Sequence, residues 1–484
     1  MDTLQLMIFL GITGLVALIT YFKCRGSVHT GNTNREYFLA GKGLSWIFIA
    51  GSLTLTNIST DTLVGLNGAQ TSLVALWELT AVVGMLVLAK VLLPIYYRYK
   101  CTTTTELLEK RYNNPNIRTT ISLMFLLGNL FIYLPILLFT GSLFMTSLFD
   151  IQVPQYLIAV IIAVVGGSYA IFGGLRAVAV SDTFNGIGLL IMGLLVTYLS
   201  LAAINFDFSG IPADKLTLIG SNDSDIPWHT LLTGMFFIQI FYWGTNQNIT
   251  QRALAGKSLK EAQKGVYATA IIRLLIVPPV VVIPGIVAFK LFGDIGDLSY
   301  GTIVREVLPT WLSGAFAAVM LGTILSTYNS ILNASAALYV CDLHEKHINP
   351  NVNVRRISVI ISILMVLISL VVLPMYMNAQ GIMALMQQLN GLLSMPILSA
   401  FITGLLFRNI DGRSIVIAVL FGIGLYALFT WVWTPLHYIH LMFITLCLSV
   451  TFALTINKML FNQKAEFIGL SLLNKEKTET AGES

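Results

Sequence analysis

The sequence predicts an all-α integral membrane protein whose core is two inverted five-helix halves, and three observations carry that expectation. Of 484 residues, 56% are hydrophobic and 11% charged, with a mean hydropathy of +0.80, whereas a soluble domain carries about 25% charge. Thirteen stretches approach the roughly 20 apolar residues that a helix needs to cross about 30 Å of hydrocarbon. Two of these, five spans apart, are interrupted at mid-depth by polar residues and glycine. A soluble enzyme, a secreted disulfide scaffold and a nucleic-acid-binding protein are excluded at this level. Cys24, Cys101, Cys341 and Cys447 form no CxxC pair and no metal-type spacing with the six histidines.

The first span, 5–22, is too long for a signal peptide and lacks its basic n-region and small-residue cleavage site, so it is expected to be retained as a helix within a unit of residues 1–45. A first repeat, 46–203, holds spans at 46–68, 74–96, 118–147, 154–173 and 180–203. An acidic loop, 204–228, precedes a second, inverted repeat, 229–407, with spans at 229–248, 264–293, 309–341, 355–375 and 380–407. Two accessory helices, 413–433 and 437–460, occupy 408–462, and 463–484 is a cytosolic tail whose end, NKEKTETAGES, is polar enough to hang disordered.

Basic residues resist translocation, so their placement orients the chain. With the N-terminus outside, Lys23, Arg25, Arg35 and Lys42, then Arg98 to Arg118, Arg176, Arg252 to Lys264, Lys346 to Arg356, Arg408, Arg413 and the tail lysines all fall inside. Only Lys90, Lys215, Arg273, Lys290 and Arg305 are left over, of which Lys90 and Lys290 sit near span ends and snorkel. The outer loop 204–228 carries Asp207, Asp214, Asp223 and Asp225. Thirteen spans run N-out, C-in, and no loop can house an ATPase, kinase or receptor output module.

Lipid offers no hydrogen bonds, so an intramembrane polar cluster lines a cavity or packs on protein. In the second span Thr54 to Thr62, TLTNISTDT, is polar at seven of nine positions and flanked by Gly51 and Gly65. In the seventh, Gln239 to Gln247 reads QIFYWGTNQ. Broken first helices in two five-helix halves point to an inverted-repeat transporter with its site at the midplane; the plainer alternative is two kinked helices joined by hydroxyls. In the ninth span Thr323, Ser326, Thr327 and Ser330 share one helix face. Oxygen ligands without thiol or imidazole suit an alkali ion, and carbonyls freed near Leu55 and Ile58 could complete its shell; by themselves such hydroxyls often bond their own preceding carbonyls. Asp61, Glu78, Asp182 and Arg273 lie deep, each at an insertion cost of about 2.5–3.5 kcal/mol. Glu78 and Arg273 suit a polar solute, one accepting from hydroxyls and the other donating, or else form a structural ion pair.

Several stretches resemble the sodium:solute symporter family, and within it the bacterial sodium/galactose (sodium/glucose-type) cotransporters. They are EYFLAGKGLSW at Glu36 to Trp46, NISTDTLVGLNG at Asn57 to Gly68, TELLEKRYN at Thr105 to Asn113, GGLRAVAVSD at Gly173 to Asp182 and, most specifically, FYWGTNQNITQRALAGKSLKEAQKG at Phe241 to Gly265. The resemblance implies a LeuT-type core formed by spans two to eleven. It implies sodium ligands at the Leu55 and Ile58 carbonyls, Thr323, Ser326 and Thr327, with Asp182 nearby, acting indirectly or at a second sodium site with Asn329 and Ser330. It implies solute-facing positions at Asn57, Asp61, Thr62, Glu78, Gln239, Arg273 and Gln387, and Tyr242 as an aromatic inner gate. Thr62, Gln239 and Arg273 depart from the Gln, Asn and Lys of galactose-type relatives, Asp61 replaces Glu, and Asn185 stands for the signature's Gln. The implied activity is not enzymatic: sodium-coupled uptake of a small neutral polyhydroxylated solute, a hexose first, across the plasma or bacterial inner membrane, with lipid and sodium as partners and no nucleic acid. An inositol-type polyol, a carboxylate such as sialic acid, and a sodium- and sugar-binding channel or sensor are the alternatives. Against a carboxylate, Ser122 to Met145 holds no basic residue.

Overall fold

The computed structural model describes residues 3–24, 38–222, 224, 226–379 and 381–470. Arg25, Arg35, Asp223, Asp225 and the tail end 474–484 lie outside the described residues, as do the side chains of Lys23 and Arg176.

The described chain is almost wholly helical. In order run α1 (Thr3–Cys24), α2 (Trp46–Asn57), α3 (Thr60–Gly68), α4 (Ser72–Arg98), α5 (Thr104–Tyr112), α6 (Pro115–Phe149) and α7 (Gln155–Ala203). They are followed by α8 (Gly234–Gly244), α9 (Gln247–Leu254), α10 (Leu259–Phe292), α11 (Thr310–His347), α12 (Val354–Met375), α13 (Ile382–Leu406), α14 (Gly412–Trp431) and α15 (Tyr438–Met459). A two-residue antiparallel pair, β1 (Phe407–Arg408) with β2 (Glu466–Phe467), closes the base of α13. Among the described residues nine helices are long and apolar enough to span a membrane, and the α2–α3 pair makes a tenth, bent by 48°.

One element differs from the sequence expectation, and one agrees with it. The spans at 154–173 and 180–203 are joined in one helical run, α7. That run is not a straight rod. Gly166 packs beside Leu325 and Asn185 against Gly322, whereas a straight helix would hold residues 166 and 185 about 28 Å apart. The two arms therefore both return to the same stretch of α11, as two separate spans would. The seventh span is two short helices, α8 and α9, turned at Thr245 (φ −122°, ψ −21°) and Asn246, whose side chain accepts from Asn248 N. Both repeats thus begin with a broken helix.

The helices are held by apolar contact and by backbone approaches that only glycine allows. A Cβ on Gly84 would lie 2.3 Å from the Gln239 carbonyl, and one on Gly285 2.3 Å from that of Asn67, so α4 meets α8, and α10 meets α3, at backbone distance. The first helix is pinned by Gln5, which donates to the Ser313 hydroxyl of α11 at 2.8 Å.

Candidate ion and solute site

The break in the first core helix is a gap in the hydrogen-bond ladder. Before it the last regular bond is Ile58 N to Thr54 O (3.0 Å), and after it the first is Leu63 N to Ser59 O (2.9 Å). The carbonyls of Leu55, Thr56, Asn57 and Ile58 lie between those two ladders, like the open end of any helix. Side chains recapture two of them. Thr327 of α11 donates to Thr56 O at 3.4 Å, and Thr62 and Arg273 donate to Asn57 O at 3.0 and 2.8 Å. Leu55 and Ile58, the pair singled out from the sequence, have no amide partner across the gap.

The hydroxyl face of α11 borders this gap. Thr323, Ser326, Thr327 and Ser330 are all buried, Thr56 Oγ1 lies 3.5 Å from Ser330 Oγ, and Ser330 donates to Ser326 O at 2.6 Å. Thr323 donates to Val319 O at 2.9 Å, which leaves its lone pairs free. The hydroxyls of Thr54 and Ser326, one oxygen of Asp182 and the whole Asn329 amide are buried without a hydrogen-bond partner. The oxygens of this set, with no thiol or imidazole among them, suit a hard monovalent cation. Asp182 accepts from Ser52 Oγ at 2.7 Å, and Ser52 in turn accepts from Arg252 Nε at 2.9 Å.

Arg252 corrects its sequence assignment as a loop cation. It is fully buried, with bonds to Ser52 Oγ, Asn248 O and Ser330 Oγ. Asp342 is likewise a buried carboxylate beyond the four deep ionisable groups expected; it takes bonds from Arg118, Thr103, Thr105 and Ser122. Arg118, also counted as a loop residue, is buried with it and reaches Glu109 at 2.7 Å. The signal for Arg252 was its place at the end of the polar run from Gln239; for Asp342 none stood out.

Beside the gap lies a polar cavity, lined in part by Asn57. The seven positions named as solute-facing and the gate residue Tyr242 all line it: Asn57, Asp61 and Thr62 from the first broken helix, Glu78 from α4, Gln239 and Tyr242 from α8, Arg273 from α10 and Gln387 from α13. Leu66, Trp77, Ile238, Trp243, Met383, Met386 and Asn390 complete the wall. Arg273 pairs with Glu78, donates to Asn57 O and Oδ1 at 2.8 Å each, and lies 5.1 Å from the centre of the Trp243 ring. The ion-pair alternative is therefore realised, yet the pair is not saturated. Glu78 Oε1, Asp61 Oδ1 and Gln387 Oε1 remain as free acceptors, and Arg273 Nε and Asn57 Nδ2 as free donors.

A family model described as the sodium:solute symporter family matches residues 37–422. The chain belongs to the sodium:solute symporter family. Among its curated relatives is an uncharacterized symporter, YidK, of Escherichia coli (strain K12), 36% identical over 94% of this chain and 84% of the relative. A sodium/glucose cotransporter of Vibrio parahaemolyticus is 27% identical over 88% of this chain and 84% of its own length. Sodium/myo-inositol cotransporter 2 of mouse is also 27% identical, and the chain covers 65% of that protein. Among solved structures, a Na+-coupled sialic acid symporter in its substrate-bound outward-open state superposes with a TM-score of 0.79 at 16% identity, covering 95% of this chain and 98% of that one. Mhp1, of the nucleobase-cation-symport-1 family, superposes at 0.53 and 16% identity, with 88% and 94% covered. These likenesses make the fold the LeuT type. The symporter is a multi-pass membrane protein, and Na+ is its coupling ion.

Proposed function

We propose that this symporter imports a small neutral polyhydroxylated solute, a hexose, by alternating access. The observation that carries the reading is the set of free polar atoms around one cavity, three acceptors and two donors. A molecule with several hydroxyls satisfies such a mixed set, because each hydroxyl both donates and accepts. The wall holds two carboxylates and one guanidinium, Asp61, Glu78 and Arg273. Its excess negative charge, and the commitment of Arg273 to Glu78 and Asn57, disfavour a solute carboxylate despite the structural likeness to a sialic acid symporter. The names of two relatives, a glucose and a myo-inositol cotransporter, lend the same support and keep an inositol-type polyol as the second reading.

In this reading sodium sits among the Leu55 and Ile58 carbonyls, Thr323, Ser326 and Thr327, with Asp182 behind it, and binds where the helix ladder is open. The solute hydroxyls meet Glu78, Gln387, Gln239, Thr62 and the Arg273–Asn57 pair, with the Tyr242 ring beneath. The thirteen spans, the 5+5 division at 46–203 and 229–407, the N-out, C-in orientation and the plasma-membrane location belong to the same proposal. A sodium gradient with a 100 mV potential offers about 2.3 kcal/mol per charge, and a tenfold concentration ratio about 1.4 more. Uptake into proteoliposomes under an imposed sodium gradient, with a panel of labelled hexoses, inositols and sialic acid, tests it. The expected result is sodium-dependent accumulation of a neutral sugar above the external level. Accumulation of the acid alone, or mere equilibration, would refute it.

A further inference from the structure

The outer end of α8 is fastened to α15 by a chain of four hydrogen-bonding side chains. Loop 204–228 runs into a 3-10 turn, Trp228–Leu232, on the face that the placement of basic residues puts outside. His229 Nδ1 of that turn meets His440 Nε2 of α15 at 2.8 Å. The two rings are tilted by only 11° with centroids 4.9 Å apart, so the contact runs edge to edge. At the two ends of the chain, His229 Nε2 lies 3.1 Å from Asn222 Oδ1 and His440 Nδ1 lies 2.8 Å from the Thr233 hydroxyl. The next residue, Gly234, opens α8, and a Cβ there would collide with Ile439 O. The start of α8 thus rests on α15 at backbone distance, and the same helix carries Gln239 and Tyr242 into the solute wall.

The ends of this chain limit how many protons it can hold. An amide oxygen only accepts, so His229 Nε2 carries a hydrogen and the neutral ring offers its lone pair at Nδ1. His440 donates to that lone pair from Nε2 and accepts at Nδ1 from Thr233. One further proton fits. It goes to His440 Nδ1, and the Thr233 hydroxyl turns to accept from it while donating to Thr230 O at 3.2 Å. A second has only His229 Nδ1 left, where N–H would face N–H between two positive rings. The elements packed on the pair bring no counter-charge. The 3-10 turn, α8 and α13 carry no acidic or basic residue besides His229 itself, and α14 and α15 carry only Arg413 and Lys458, both at the far ends of their helices. The remaining neighbour is a third imidazole, His437, with its centroid 6.4 Å from that of His440. Asp223 and Asp225 of the loop lie outside the described residues.

We propose that the His229–His440 pair is a proton-operated clasp: it holds the outer end of α8 on α15 while it carries at most one proton, and it lets go when acid outside supplies the second. The two imidazoles then titrate as a unit. Below about pH 6.5, where a free imidazole takes its proton, opening takes up one proton, so the open population grows about tenfold per unit of pH. Hydrogen exchange of the purified full-length protein, followed by mass spectrometry from about pH 8 to about pH 5 and corrected for the intrinsic rate, reads that population without any solute. In wild type, protection of the amides from Thr230 to Gln239 should hold down to about pH 6.5 and then fall about tenfold per unit. His229→Gln keeps an acceptor for His440, and His440→Gln keeps a donor for His229. Each leaves a single imidazole in the chain, so neither variant should show the acid step. Constant protection in wild type down to about pH 5 overturns the proposal with no variant needed. An acid step of wild-type size in either glutamine variant overturns it too, as does a fall shared equally by α13 and α14, which marks general unfolding instead of a local release.

Discussion

Gln387→Ala isolates the solute wall from the rest of the protein. The side chain is buried, its Oε1 has no partner, and its amide nitrogen has only a 3.8 Å contact to the Met383 sulfur. Among the described residues no other hydrogen bond involves its side chain, unlike Gln239, which donates to the Trp77 carbonyl at 2.9 Å. Truncation therefore removes one neutral hydrogen bond to a solute hydroxyl, about 0.5–1.5 kcal/mol. The apparent solute constant should rise about 2- to 12-fold. The sodium dependence and the thermal stability should stay where they are. Initial rates of sodium-driven uptake, taken across solute concentrations at saturating sodium, read the constant directly. An unchanged constant in a variant that still transports would refute the placement of Gln387 against the solute, and a loss of stability would show that its role is packing.

Thr327→Ala should weaken half-saturation by sodium, because it removes both an oxygen ligand and the bond to Thr56 O; uptake measured across sodium concentrations at fixed solute checks it. Arg252→Met should cost about 3–5 kcal/mol by leaving the Asp182 charge buried and alone, and adding Asp182→Asn should recover part of that loss, read as melting temperatures in detergent. Glu109, on the short α5 outside the spans, is held below the usual carboxylate range: burial opposes this, but hydrogen bonds from Lys346 and Arg118 outweigh it. A depressed carboxylate stabilises the fold above its unfolded value of about 4.3 and loses that contribution as pH falls through the lower folded value. Melting temperatures should accordingly drop below about pH 4 in wild type and less in Glu109→Gln.

The broken helices were legible because their cause is local. Seven polar residues in nine at Thr54 to Thr62 cannot remain in a continuous lipid-facing helix, and the ladder does open at Ile58 and Ser59. The solute cavity was legible for a related reason. Glu78, Arg273 and Gln387 are polar groups in apolar runs, and each has its place in one wall. Arg252 was not, since a cation near a run of loop lysines reads as a positive-inside signal unless its neighbours in space are known. The partners that bury it, Ser52 and Ser330, come from the second and ninth spans, and no sequence spacing joins them. Asp342 escaped for the converse reason. It sits just past the expected end of a span, where a carboxylate reads as the return to water. A π-helical turn, Leu338–His344, instead points it into Thr103, Thr105, Ser122 and Arg118.

Coupling in the proposed site needs no long-range path, because ion and solute both bear on one four-residue stretch, Leu55 to Ile58. The Leu55 and Ile58 carbonyls offered to sodium flank Asn57, whose own carbonyl and side-chain oxygen are held by Arg273 at 2.8 Å. That guanidinium also fixes Glu78. A cation that orders the peptide planes between Leu55 and Ile58 thereby orders Asn57, and Asn57 sets the direction of Arg273 and the free oxygen of Glu78. The loss of freedom on adding solute is smaller once the ion is bound, so affinity for each rises with the other by the same factor. Breaking the link at its middle is the discriminating perturbation. Asn57→Ala keeps every backbone carbonyl and both carboxylates, so it should leave sodium binding near the wild-type value while abolishing the shift in sodium affinity that saturating solute produces. Equal shifts in the variant and the wild type would show that coupling runs through some other contact.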